Sequence, residues 1–177
     1  MANERIAYLD CHSGISGDMF LGAALDAGLS LETLQAALAT LHLAGYDLAR
    51  EDFTDKGIHG TRLRVTLAAE EQPVRHFSEI AALIAAVSLP ERVKATAISI
   101  FRCLAEAEAT VHGTTVEAVH FHEVGAVDAI VDIVGAAIAV NELGLAQLYA
   151  SPLPLSGGHV RSAHGLLPIP APAVLEI

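Results

Sequence analysis

Residues 116–135, "VEAVHFHEVGAVDAIVDIVG", decide how this chain folds. From Gly125 to Leu143 the sequence is apolar on nearly every side at helical spacing, the pattern of a helix at the centre of a domain. Just before it the chain alternates. If extended, His120 and His122 point to one side and Phe121 to the other, into the core. Asp128 and Asp132 interrupt the apolar run four residues apart, so they share a helix face. Such a helix tolerates carboxylates only where they are paired, hydrogen-bonded or bound to a cation. Arg102 and Arg161 are the candidate partners.

Working outward, Arg5 to Asp10 reads as a short buried strand, followed by the Gly/Ser loop "CHSGISGD". A helix runs from Met19 to Ala27, with its first turn near Gly17-Asp18, and Gly28 stops it. Ser30 is placed as an N-cap, with Thr33 where a capping box has glutamate, for a helix through Leu41. "YDLAREDFTDKGIHGTRLRVTLA" then alternates around Lys56-Gly57, a hairpin with its turn near Gly57 or Gly60. "EEQPVRH" is a polar linker, and His76 or Ser78 starts a helix to Val87. Pro90 suits the start of a long helix, Glu91 to Val111, which Gly113 ends. "TVEAVHFHEV" is expected to be extended. "AQLYASPLPL" reads as a strand and exit, and His159, Arg161 and His164 lie in a strand-like hairpin. Pro170 and Pro172 fit the first turn of a helix that has just begun at "AVLEI".

Helices and strands mix irregularly, so the class is α/β or α+β. The expected architecture is a small mixed sheet with a hairpin and a central apolar helix, with several helices packed on it. Residues 1–177 read as a single N-terminal domain, a piece of a longer two-part protein.

The chain has 177 residues, is 53% hydrophobic and only 5% aromatic, so its core is built mainly from Ala, Leu, Ile and Val. A net charge of −11 argues against nucleic acid as the partner, because phosphate neutralisation needs a basic face. The longest apolar run, Val124 to Val140, carries two carboxylates, which argues against a membrane span. Cys11 and Cys103 are too few for a disulfide framework, and Cys103 reads as core packing. No apolar signal sequence opens the chain, so the cytoplasm is the expected compartment.

Three constellations carry chemistry. In Asp10 to Met19, a strand enters a loop with Ser13, Gly14, Ser16 and Gly17 before a helix begins. Such a loop presents N–H groups to an anion such as phosphate, while Asp10 and Asp18 could instead hold a divalent cation. A tight turn with Asp18 capping the helix is the plainer reading. His120 and His122 form a minimal two-imidazole chelate for nickel, zinc or iron, which Glu123 could orient. Asp128 lies one turn into the helix, within reach of that pair. In the tail, Arg161 is a candidate phosphate or carboxylate clamp.

Taken together, "YLDCHSGISGDMFLGAALDAG", "HFHEVGAVDAIVDIVG" and "GGHVRSAHGLLPIPAPAVLE" resemble the nickel-insertion proteins of lactate racemase maturation, the pyridinium-3,5-bisthiocarboxylic acid mononucleotide nickel chelatases. The resemblance covers nearly the whole chain in the right order. It implies CTP-dependent insertion of Ni²⁺ into the pyridinium mononucleotide, forming the nickel pincer cofactor, with Mg²⁺ or Mn²⁺ and with CTP bound by a C-terminal part. It implies an enzyme, a lyase, when that own C-terminal part is present, and it is compatible with a homo-oligomer. His120 and His122 are the expected nickel ligands, with Glu123 or Asp128 completing the site. Asp10, Ser13, Gly14, Ser16, Gly17, Asp18 and Arg161 are expected on the substrate and its phosphate. The polyhistidine stretch of many members is reduced here to His76. Two other functions fit the same residues: a non-enzymatic nickel-binding or assembly module, and a metal-dependent phosphohydrolase using Asp10, Asp18 and the histidine pair.

Overall fold

The computed structural model describes residues 5–68, 73–121, 126–162 and 165–177. Strand β1 (Arg5–Leu9) leads through a turn into helix α1 (Gly17–Asp26), and α2 (Leu31–Ala39) follows. The Ser30 hydroxyl accepts the Thr33 N–H at 3.3 Å, as the N-cap expectation required. Strands β2 (Tyr46–Asp55) and β3 (Ile58–Leu67) form a hairpin closed by Lys56-Gly57. Both turn residues have positive φ, 48° and 86°, the twist that joins two antiparallel strands most tightly. The short strand β4 (Arg75–His76) runs directly into α3 (Phe77–Ala86), and α4 (Glu91–His112) follows. Gly113, at φ 61°, caps α4 in the left-handed conformation. The chain then gives β5 (His120–Phe121), α5 (Val127–Glu142), β6 (Leu145–Ala150), the hairpin β7 (His159–Ser162) and β8 (Gly165–Pro168), and α6 (Pro172–Glu176).

Helix α5 is the centre, as its sequence demands. Val127, Ile130, Val131, Val134, Ala137 and Ile138 are buried in it, and α1, α2 and α4 all pack on it. A Cβ on Gly135 would stand 3.1 Å from the Leu21 side chain. Phe121 is buried and meets Phe101 of α4 at 6.3 Å between centroids. The class is mixed α and β. The described strands form four separate two-stranded ladders: β1 with β6 in parallel, and β2–β3, β4–β5 and β7–β8 antiparallel. No helix among the described residues is long and apolar enough to cross a membrane.

Four expectations are corrected. Strand β1 is not buried: Ile6 and Tyr8 are 64% and 66% exposed, because β6 is its only described partner and the face that carries them is uncovered, while Ala7 and Leu9 on the other face are half-buried. The linker before α3 is in part a strand, since Arg75 and His76 pair with Phe121 and His120. Before His120, residues 116–118 form a turn instead of extended chain. Cys103 is exposed on α4, not packed in the core; only Cys11 is buried.

The approach of α1 to β3 is set by Gly22. A Cβ there would lie 2.5 Å from the Thr61 carbonyl oxygen and 3.1 Å from Arg62 Cα. Both are backbone atoms that cannot rotate aside. Gly22→Ala is therefore expected to destabilise the fold by about 1–3 kcal/mol despite its better helix propensity, read as a lower urea midpoint. An unchanged or raised midpoint would show that the helix can shift off the hairpin.

Candidate functional site

The first turn of α1 and the first two turns of α5 meet at a glycine. Any side chain on Gly17 would collide with the Asp132 carboxyl group. One oxygen of that group, Oδ1, is shielded from solvent and has no hydrogen-bond partner among the described residues, although the side chain as a whole is only half-buried. Burial first, then the charges of Asp18 and Asp128, push the Asp132 pKa from 3.8 up to about 6.

These groups open onto a cleft of about 540 Å³ between α1, α5 and β3. One wall holds Asp18, Asp128 and Asp132, with Ser16 and Met19 at the edge. The other holds Arg62 and Arg64, with Leu63 and Val65 between and beside them. Asp18 accepts from the Ser16 hydroxyl and from the Met19 N–H at 2.9 Å. Asp128 accepts the Ala129 N–H at 2.8 Å. The guanidinium of Arg62 lies 5.1 Å over the Phe53 ring, and Arg64 Nη2 donates to Glu51 at 2.8 Å. The cleft thus sets carboxylates on helices against guanidiniums on a hairpin, and the unpartnered oxygen belongs to the deepest carboxylate.

Of the residues expected at a site, Ser16, Asp18 and Asp128 line this cleft, and Gly17 packs behind it. Asp10, Ser13, Gly14, Arg161 and His120 do not line it. Asp10 lies 3.1 Å from His12 Nδ1 at an exposed position, and the Gly14 N–H closes a turn on the Cys11 carbonyl at 2.8 Å. Arg161 is exposed on β7. The expected arginine partners of the buried acids are not made: Arg102 sits 5.2 Å over Phe77, and the cleft arginines are Arg62 and Arg64. The signal that could have found them is the alternation in "TRLRV", which puts two arginines on one side of a strand whose Leu63 is buried.

His122 and Glu123, like His164, lie outside the described residues. His120 is described: exposed on β5, opposite His76 of β4, with the two imidazoles edge to face at 4.8 Å between centroids. His76 was not among the expected ligands. Among the described residues no three His, Cys, Asp or Glu side chains converge on one point closely enough to hold a metal ion.

Residues 7–177 match the family described as nickel insertion protein. A pyridinium-3,5-bisthiocarboxylic acid mononucleotide nickel insertion protein of Desulfitobacterium hafniense is 53% identical over 98% of this chain and 43% of its own length. Relatives carrying the nickel insertion name in Citrifermentans bemidjiense and Roseiflexus castenholzii are 53% and 56% identical, again over 98% of this chain, and over 45% and 44% of their own lengths. The chain therefore spans less than half the length of these curated relatives. No solved structure matches it.

The raised Asp132 pKa fixes a sign. Between roughly pH 4 and pH 6 the folded chain holds a proton that the unfolded chain has released. That contribution to stability is complete at low pH and is lost as the pH rises through about 6. In metal-free buffer at pH 7.5, Asp132→Asn should stabilise the fold by about 1 kcal/mol, the shift being discounted for water's access to the half-exposed side chain. The melting temperature should rise by about 2–4 °C, and the gain should shrink as the pH falls below about 6 and vanish only below the unfolded value of 3.8. A gain independent of pH would show that charge at Asp132 is not its cause.

Proposed function

Because the chain belongs to the nickel insertion protein family, we propose that it contributes the metal-handling part of nickel insertion into a pyridinium bisthiocarboxylic acid mononucleotide. The observation that carries this reading is the family relationship itself, which runs through residues 7–177 and so includes both the histidine strand and the whole cleft. In it Ni²⁺ is substrate, and His120 and His122 take the ion from solution. Imidazole suits nickel better than carboxylate does. Asp128, with Glu123, orients the histidines or completes the coordination. The acidic wall of Asp18, Asp128 and Asp132 favours a cation in the cleft, and a cation there would hold Asp132 ionised at neutral pH. Arg62, with the loop from Ser13 to Asp18, takes the anionic groups of the mononucleotide. Arg161 meets them from outside the cleft, while Asp10, a carboxylate, takes a hydroxyl of the mononucleotide or an accompanying cation.

The lyase chemistry, and its dependence on CTP with Mg²⁺ or Mn²⁺, we assign to the complete protein. The described residues hold no convergent set of three ligands that would suit such a cation, and less than half of the relatives' length is matched here. A second reading has a specific observation in its favour. A two-imidazole holder with no closed cage suits a carrier that binds nickel and performs no chemistry alone. The phosphohydrolase alternative loses its ground to the family relationship, and Asp10 faces His12.

Two experiments test this. First, the double variant His120→Ala, His122→Ala should weaken Ni²⁺ binding by about ten- to a hundredfold in isothermal titration. Its melting temperature should hold, because His120 is exposed. Unchanged nickel binding would reject the histidine assignment. Second, cofactor synthesis from CTP, Ni²⁺ and the mononucleotide should require addition of the unmatched half of the Desulfitobacterium relative. Synthesis by the chain alone would overturn the division of labour, and nickel binding without synthesis in any combination would favour the carrier.

A further inference from the structure

Resting on the nickel reading above, we propose that His76 is a nickel ligand, holding the ion together with His120 across the β4–β5 ladder. The two residues are direct partners in the antiparallel register. They come from segments 44 positions apart, so proximity in sequence does not explain their meeting. Their ring centroids lie 4.8 Å apart with planes at 87°. A metal ion about 2.1 Å from an imidazole nitrogen stands about 3.2 Å from that ring's centroid. With one nitrogen of each ring turned to a common ion, two centroids at the observed separation would subtend about 97° there, near the right angle between neighbouring ligands in the octahedral and square-planar geometries that nickel takes.

A second feature of His76 stands apart from that distance. Its Nδ1 lies 3.1 Å from the Val119 carbonyl oxygen. A carbonyl only accepts, so this contact is a hydrogen bond when Nδ1 carries the proton, and the same ring faces the Glu79 N–H in the capping box that starts α3. A histidine that binds a metal through one nitrogen commonly donates its other N–H to a backbone carbonyl, which fixes the ring and its tautomer. The backbone of His76 is anchored as well. It is the N-cap residue of α3, and its N–H donates to the Glu79 carboxylate at 2.7 Å. The ring therefore projects from a strand end that a helix holds in place. It is half-buried while His120 is exposed, so an ion between them is reachable from solvent.

The test is nickel titration of the full chain, any affinity tag removed, comparing wild type with His76→Asn and His76→Ala. Asparagine is a good N-cap residue, so His76→Asn removes the imidazole while α3 keeps its start. Thermal melts confirm that the variant folds. The proposal expects Ni²⁺ affinity to fall about tenfold or more in both variants. It also expects the His76 Nε2 resonance of ¹⁵N-labelled wild type to broaden first on addition of Ni²⁺. Wild-type affinity in a folded His76→Asn, with no broadening at His76, overturns this assignment and leaves the nickel reading standing. Absence of nickel binding by wild type itself overturns both.

Discussion

The structure depends on covering α5. A helix that is apolar on all sides has no face to give to water, so it is stable only when other elements surround it. Here α1, α2 and α4 do so, and close approach is bought with small residues: Gly135 where Leu21 presses in, and Gly17 where α1 begins. The same packing carries Asp132 into the junction. Four residues before it, Asp128 sits at the helix start and stays exposed. One turn further in, the same residue type loses water from one oxygen and finds no donor in exchange among the described residues. The candidate site is thus the place where the packing that makes the core is least favourable for the side chain it buries. Unpartnered buried charge costs stability, and such costs are retained mostly where chemistry uses them.

How much of this was legible in the sequence follows from the range of the interactions. Helix α4 could be read almost to the residue, from Pro90 to Gly113, because its stop and start signals are local. The Lys56-Gly57 hairpin and the Ser30 cap were equally local. Phe121 buried and His120 outward followed from strand alternation. What failed was what depends on partners far along the chain. Strand β1 is apolar, and apolar strands are usually covered, yet only β6, 140 residues away, pairs with it among the described residues. The strand character of Arg75-His76 comes from β5, not from its own polar sequence. The arginines of the cleft sit on the hairpin, and nothing in "TRLRV" states which helix that face will meet.

The cleft's charges are distributed by element. Asp18 and Asp128 come from the first turns of two helices, where the helix dipole favours negative charge, while Asp132 lies one turn deeper in α5. The dipole favours the first two where they stand; Asp132 is the one deprived of water, and burial raises its pKa. The guanidiniums are each engaged, Arg62 with an aromatic face and Arg64 with Glu51. Neither neutralises Asp132. A cation arriving in the cleft would therefore meet a carboxylate whose charge is uncompensated, while an anionic ligand would meet guanidiniums held in fixed positions by other contacts. A site of this kind can receive both halves of a metal complex without first breaking an ion pair between them.

A protein that passes a metal on faces a constraint that a structural metal site does not. Each additional good ligand lowers the free energy of the bound ion, and every 1.4 kcal/mol slows or weakens its release tenfold. A closed four-ligand cage would trap nickel; a single imidazole would not select it from water. Two nitrogens on paired strand ends lie between these limits and leave most of the coordination sphere to the acceptor. The short β4–β5 ladder suits that role because it is only two residues long on each side. The helix behind His76 fixes one ring, while the segment carrying His120 leads within a few residues into α5 and its carboxylates. An ion held there would stand on the strand that precedes α5 in the chain, and the first two turns of α5 carry the carboxylates that line the cleft.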